Sequence, residues 1–210
     1  STQEEIINSV LAGRDNFVLM PTGGGKSLCF QLPALELPGL TLVISPLIAL
    51  MKDQVDALQA NGVAAEFINS SLAPADINRI QAAAKSGKLK ILYIAPERLA
   101  SRDFRDYLQS LQVSLIAIDE AHCISEWGHD FRPEYRNLRE LRKLFPQVPL
   151  IALTATATSK VRDDIITQLK LQKAKVFVSG FNRPNLHLKV IEKKGAYSKL
   201  VTLLKKYQGE

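Results

Sequence analysis

The sequence predicts an α/β fold, a mainly parallel β-sheet with helices on both faces. Three observations lead there. The segments LTLVIS, KILYIA, VSLIAID and PLIALT are apolar almost without a break, whereas a strand with one wet face would alternate. Longer amphipathic stretches separate them, and strand–helix alternation builds a sheet whose strands run the same way. The glycine-rich and acidic motifs fall just after expected strands, where open α/β sheets bind ligands.

In chain order, an amphipathic helix is expected over Gln3–Ala12 and a strand over Phe17–Met20. A glycine loop then leads into a helix at Lys26–Leu35. The strand Leu40–Ser45 is followed by a helix at Ala49–Asn61, and the strand Glu66–Asn69 by a helix at Pro74–Ser86. The strand Leu89–Ile94 precedes a helix at Phe104–Leu111, and the strand Val113–Asp119 precedes one at Tyr135–Leu144. The strand Leu150–Thr154, the helix Ser159–Leu169 and the strand Lys175–Ser179 complete the series. Beyond Gly180 the character shifts. FNRPN carries a proline and reads as a turn or hinge, Leu186–Glu192 alternates as a strand does, and Tyr197–Tyr207 is amphipathic. Residues 1–180 are therefore expected to form one domain and 181–210 a connecting segment. The start at Ser1 on a helical pattern, and the stop just after LLKKYQGE, lead to the expectation of a piece of a longer protein.

Composition narrows the function. A chain of 210 residues can bury one large core. With 46% hydrophobic and 23% charged residues it is not composed like a disordered chain. A net charge of +6 suits a polyanionic partner such as nucleic acid. No apolar run approaches the ~20 residues of a membrane span, and no signal pattern opens the chain. A cytoplasmic protein without a membrane partner is expected. Cys29 and Cys123 lie far apart and outside any paired CxxC, so buried thiols are expected rather than a zinc site or a disulfide.

Two motifs carry chemistry. Met20–Ser27 reads MPTGGGKS between a strand and a helix. Thr22, Gly23, Gly24 and Gly25 would let the backbone curl until its amides, with the helix N-terminus, cradle phosphate oxygens. Lys26 would reach the β- and γ-phosphates, and Ser27 would place its hydroxyl on Mg²⁺. Met20 stands where the usual spacing has its first glycine. The second motif, Asp119-Glu120-Ala121-His122, ends a strand. Adjacent carboxylates there call for a cation. Asp119 would hold Mg²⁺, Glu120 would orient and deprotonate an attacking water, and His122 would relay. Hydrolysis of ATP fits this pair better than phosphoryl transfer to a metabolite. Downstream, CISEWGHDFRPEY crowds Trp127, His129, Phe131, Arg132 and Tyr135 beside Gly128 and Pro133. Such a segment suits stacking on unpaired bases, although the same composition also describes a loop whose aromatics plug the core.

The chain resembles RecQ-family helicases in MPTGGGKS, SPLIALMKDQV, APERL, DEAHCISEWGHDFRPEY, LTATAT and FNRPN, which occur in the family's order across nearly the whole length. Related RNA helicases share the ATP motifs but not the aromatic loop. The resemblance implies the RecA-like P-loop NTPase fold and ATP-dependent unwinding of DNA, 3′ to 5′ on one strand. It implies that Gln3 reads the adenine edge. Ser45, Pro46 and Arg98 would follow the DNA backbone. Trp127, His129, Phe131 and Arg132 would sense single-stranded DNA, within single-stranded and partially duplex substrates. Thr154 and Thr156 would link hydrolysis to movement. It also implies a second RecA-like motor domain bearing an arginine finger, so the chain by itself is expected to hydrolyse ATP weakly and not to unwind. A non-catalytic module that binds single-stranded DNA or a partner protein is the alternative.

Overall fold

The computed structural model describes residues 1–180, 190 and 193–207. The chain divides into two compact units, Ser1–Gly180 and Phe181–Glu210. The first contains α1 (Thr2–Leu11), β1 (Asn16–Leu19), α2 (Leu28–Glu36), β2 (Leu40–Ile44), α3 (Ile48–Ala60), β3 (Ala65–Ile68), α4 (Pro74–Lys85), β4 (Ile91–Ile94), α5 (Arg102–Gln109), β5 (Val113–Ile118), α6 (Arg139–Leu144), β6 (Leu150–Thr154), α7 (Ser159–Gln168) and β7 (Lys175–Val178). In the second unit, α8 spans Ala196–Lys206, one residue from the expected helix. The expected turn at 181–185 lies outside the described residues, as does the expected strand Leu186–Glu192 except for Val190.

All seven strands pair in parallel, in the order β3-β4-β2-β5-β6-β1-β7. Their continuous apolar character has the anticipated cause. Along β2, Leu42 and Ile44 face one core while Val43 faces the other, so both faces are dry. One core joins the sheet to α1, α2 and α3 through Ile6, Val10, Phe30, Met51 and Val55. The other joins it to α4, α5, α6 and α7 through Ile80, Phe104, Leu141, Val161 and Ile165. Each such side chain, fully buried, contributes about 1.5–3 kcal/mol.

Most boundaries shift by one or two residues, and the differences at α2, α6 and two short turns have a physical cause or a bearing on the site. Helix α2 begins at Leu28 rather than Lys26. Gly25 has a left-handed φ of 75° that no helix accommodates, and Leu28 N closes a tight turn onto Gly25 O. The helix expected over Tyr135–Leu144 is a 3-10 turn at Pro133–Leu138 that continues into α6. Pro133 lacks an N–H and holds Arg132 extended, which fixes the turn's start. Short 3-10 turns at Pro96–Ala100 and Ala121–Ile124 were not anticipated. Each follows the end of a strand and presents a motif at the sheet's carboxyl edge.

At the opposite edge Asp15 ties distant segments together. Its Oδ1 accepts from Arg142 Nη2 and from Leu150 N, both at 2.9 Å. Asp15→Ala strips the acceptor from both donors and is expected to destabilise the domain by about 1–3 kcal/mol. A denaturant midpoint equal to that of the parent chain would refute this.

Candidate functional site

The strand order brings the motifs together. β6 lies between β5, which ends at the acidic pair, and β1, which ends at the glycine loop. Thr154, at the end of β6, therefore lies between the strand ends that lead to Asp119 and to the glycine loop. Met20 N donates to Thr154 O at 3.1 Å, and Asp119 N donates to Ile44 O at 2.9 Å.

The glycine loop is a tight turn folded on itself. Gly24 N donates to Pro21 O at 3.0 Å, and Lys26 Nζ donates to the Met20 carbonyl at 3.4 Å. Met20 is buried in the core, which accounts for an apolar residue where a glycine is usual. Helix α1 is held by a reciprocal cap between Ser1 and Glu4, and this presents Gln3 to the loop. Gln3 Nε2 donates to Gly24 O at 3.1 Å. A Cβ on Gly25 would meet the tip of the flexible Gln3 side chain at 2.3 Å and displace it, and the φ of 75° there strains any residue but glycine. The amide expected to face adenine thus rests on the phosphate loop here. Thr22 and Gly23 are exposed, and Ser27 caps α2 without a side-chain hydrogen bond to it.

The acidic pair divides by environment. Burial, and then the neighbouring Glu120 charge, raise the Asp119 carboxyl to about 6, against the pull of Glu120 N, Lys26 and His122. Glu120 is shifted the other way, first by its hydrogen bond to His122. Its Oε2 lies 3.1 Å from His122 Nδ1. Glu120 adopts φ 47°, ψ 45°, a left-handed conformation that is costly for a residue with a Cβ. His122 Nδ1 is also 3.0 Å from Thr154 Oγ1, which accepts from Thr156 N at 3.2 Å. The histidine thus bridges the acidic pair to the segment after β6.

The aromatic segment is a loop closed at its base by Arg132 N donating to Cys123 O at 3.0 Å. Gly128 packs so closely that a Cβ would lie 2.5 Å from His122 O. Trp127 is 64% exposed, with Lys160 Nζ only 3.1 Å from its ring centroid. His129 stacks on His122 at 4.5 Å, and Arg136 lies over Phe131. Arg132 binds Asp130 and also donates to Pro46 O at 3.1 Å, which joins the loop to the segment after β2. Ser45 is buried there. Of the aromatics, Tyr135 alone plugs the core, and its hydroxyl donates to Asp119 O at 3.1 Å. Arg98 stands apart from this cluster. Its guanidinium lies over Phe104 in a cleft of about 350 Å³ shared with Asn78 and Gln81. Tyr135 and Lys160 were not singled out for the site. Tyr135 closes the aromatic motif and carried a signal, whereas Lys160 is one lysine among many.

A parallel sheet with a glycine-lysine loop after β1 and paired acids after β5 defines a RecA-like P-loop domain. The chain belongs to the DEAD/DEAH box helicase family, which matches residues 1–165. It is 52% identical over 191 residues to the ATP-dependent DNA helicase RecQ of Pasteurella multocida, covering 91% of this chain and 30% of that protein. It is 53% identical over 194 residues to its counterpart in Bacillus subtilis, covering 91% and 33%. The chain therefore spans about a third of the length of these relatives. Among solved structures it resembles the Pyrococcus furiosus Hef helicase domain, with a TM-score of 0.64, 20% identity and coverage of 90% of this chain and 40% of that one. That likeness concerns the fold. Among the described residues, no helix is long and apolar enough to cross a membrane.

Proposed function

We propose that this chain is the first motor domain of a RecQ-type ATP-dependent DNA helicase, binding ATP with Mg²⁺ and single-stranded DNA. The bridge from Glu120 through His122 to Thr154, on the loop that bears Trp127, carries this reading. One histidine then contacts the hydrolytic acid while its own loop offers an exposed ring to a base. Unwinding would run 3′ to 5′ on partly duplex DNA, in the nucleoid of a bacterium or the nucleus of a eukaryote.

The donors suit Mg²⁺. Ser27 and Asp119 offer hard oxygens, and the raised Asp119 carboxyl is a charge that a cation would relieve. Ser27 and Asp119 would hold the ion, which would supply neutralisation of phosphate charge. Lys26 leaves the Met20 carbonyl to hold a phosphate oxygen, while Thr22, Gly23, Gly24 and Gly25 wrap the phosphates. Gln3 releases Gly24 and turns to adenine. Glu120, kept ionised by His122, orients a water and takes its proton. Arg98 and the segment at Pro46, with Ser45 buried behind it rather than facing DNA, follow the DNA backbone, and Trp127, Phe131, His129 and Arg132 read its unpaired bases. Thr154 and Thr156 pass the state of the pocket to the loop. Residues 181–210 lead toward a second motor domain whose arginine completes the site, so the chain alone turns ATP over slowly.

The test compares ATP turnover with and without single-stranded DNA in a protein of the relatives' full length. DNA-stimulated turnover is expected, and its absence would leave only a binding module. Trp127→Ala should weaken DNA binding by about 5- to 100-fold, the worth of one base stacked on an aromatic ring. Nucleotide affinity should hold. Undiminished stimulation by DNA would remove the loop from the mechanism.

A further inference from the structure

The phosphate loop and the acidic pair offer hard oxygen donors. A few ångströms away, the base of the aromatic loop holds donors of a different kind. We propose that His122, Cys123 and Asp130 form a site for a soft divalent cation of the Zn²⁺ class, separate from the nucleotide's metal. A ring nitrogen of His122, the Cys123 Sγ and one carboxylate oxygen of Asp130 lie within 4.8 Å of one another. Cys123 Sγ is 3.8 Å from His122 Nε2 and 3.7 Å from Asp130 Oδ2. Zinc bonds of ordinary length at tetrahedral angles put such donors about 3.4–3.6 Å apart. Small side-chain adjustments therefore close the set around one ion.

The ring is already oriented for the task. Glu120 Oε2 lies 3.1 Å from His122 Nδ1, and a proton on that nitrogen leaves Nε2 with its lone pair directed at Cys123. A carboxylate behind a ligating histidine is the arrangement that fixes tautomer and direction at metal sites. The loop's closure at Cys123 and Arg132, with the close approach of Gly128 to His122, returns Asp130 to the thiol. His122 and Cys123 are buried while Asp130 is exposed and paired with Arg132, so an ion would enter from the Asp130 side and replace Arg132 as the partner of its carboxylate. Sequence spacing concealed the site because its ligands are an adjacent His-Cys and an aspartate seven residues on, not paired cysteines. Thiolate with imidazole favours Zn²⁺ over Mg²⁺, so the two metals need not compete. A cation held there would tie the base of the Trp127 loop to the ring that holds Glu120.

The experiment titrates the chain with Co²⁺ in excess Mg²⁺, without nucleotide or DNA, so its outcome is independent of the motor reading. One equivalent should produce tetrahedral d–d bands and a thiolate-to-cobalt charge-transfer band, both abolished by Zn²⁺. Cys29→Ser should keep these bands, and Cys123→Ser should lose the charge-transfer band. Asp130→Asn keeps the size of an exposed side chain and removes its charge, and it should weaken binding about tenfold or more, with the unfolding midpoint followed alongside. Absence of the bands in the parent chain, their survival in Cys123→Ser, or unchanged affinity in Asp130→Asn would each overturn the site.

Discussion

Glu120→Gln is expected to lower DNA-stimulated ATP turnover about 10²- to 10⁴-fold, the usual worth of a general base, with nucleotide binding retained. The substitution keeps the side chain's shape and removes its capacity to take a proton. The structure separates this residue from its neighbour. The hydrogen bond to His122 lowers Glu120, while burial raises Asp119 to about 6. The two adjacent acids differ in state: the lowered Glu120 is ionised at neutral pH and can orient a water, whereas the raised Asp119 carries a charge that a cation would relieve. The left-handed backbone at Glu120 points the same way. Such conformations persist only where their surroundings hold them, and here the His122 contact and the Tyr135 hydroxyl on Asp119 O do so. Steady-state turnover at saturating single-stranded DNA, with calorimetry of nucleotide binding alongside, measures both halves. Undiminished turnover would take Glu120 out of the chemistry.

Lys26→Ala is expected to reduce both nucleotide affinity and turnover, the latter about 10²- to 10³-fold, as for the loss of one preorganised charge-stabilising donor. The resting contacts explain why both change. Lys26 Nζ rests on the Met20 carbonyl at a long 3.4 Å, and Gln3 holds Gly24 O. Both acceptors are uncharged carbonyls, and the ammonium is attracted more strongly to the anionic oxygens of a triphosphate, so a triphosphate can displace these contacts. Without the ammonium, the loop keeps its glycines but loses its only lysine at the phosphates. The same two assays on Lys26→Ala decide the matter. Wild-type affinity together with wild-type turnover would place the phosphates elsewhere.

Much of this was legible in the residues. Unbroken apolar runs of this short length, rich in β-branched residues, read as strands covered on both sides, and β2, β4, β5 and β6 are buried along nearly their whole length. The motifs stand at strand ends because glycine turns and paired acids interrupt those runs there. Boundaries were missed where one residue overrode the local pattern, Gly25 at the start of α2 and Pro133 before α6. Composition alone favours a loop whose aromatics plug the core, and the structure bears this out for Tyr135 but not for Trp127. Trp127 is out in solvent and Tyr135 is inside, yet both belong to one cluster of rings.

The chain's own pattern determined which segments are strands, which faces are apolar, and which residue types await phosphate, metal and a base. Strand order determined the rest. Only the placing of β6 between β5 and β1 sets Thr154 against His122. Only the loop's closure carries Arg132 to Pro46, Trp127 to Lys160 and Asp130 back to Cys123. Periodicity reports whether a residue is buried, because burial depends on neighbours three or four positions away. Which distant residue it meets depends on how separate elements pack, and no local pattern encodes that.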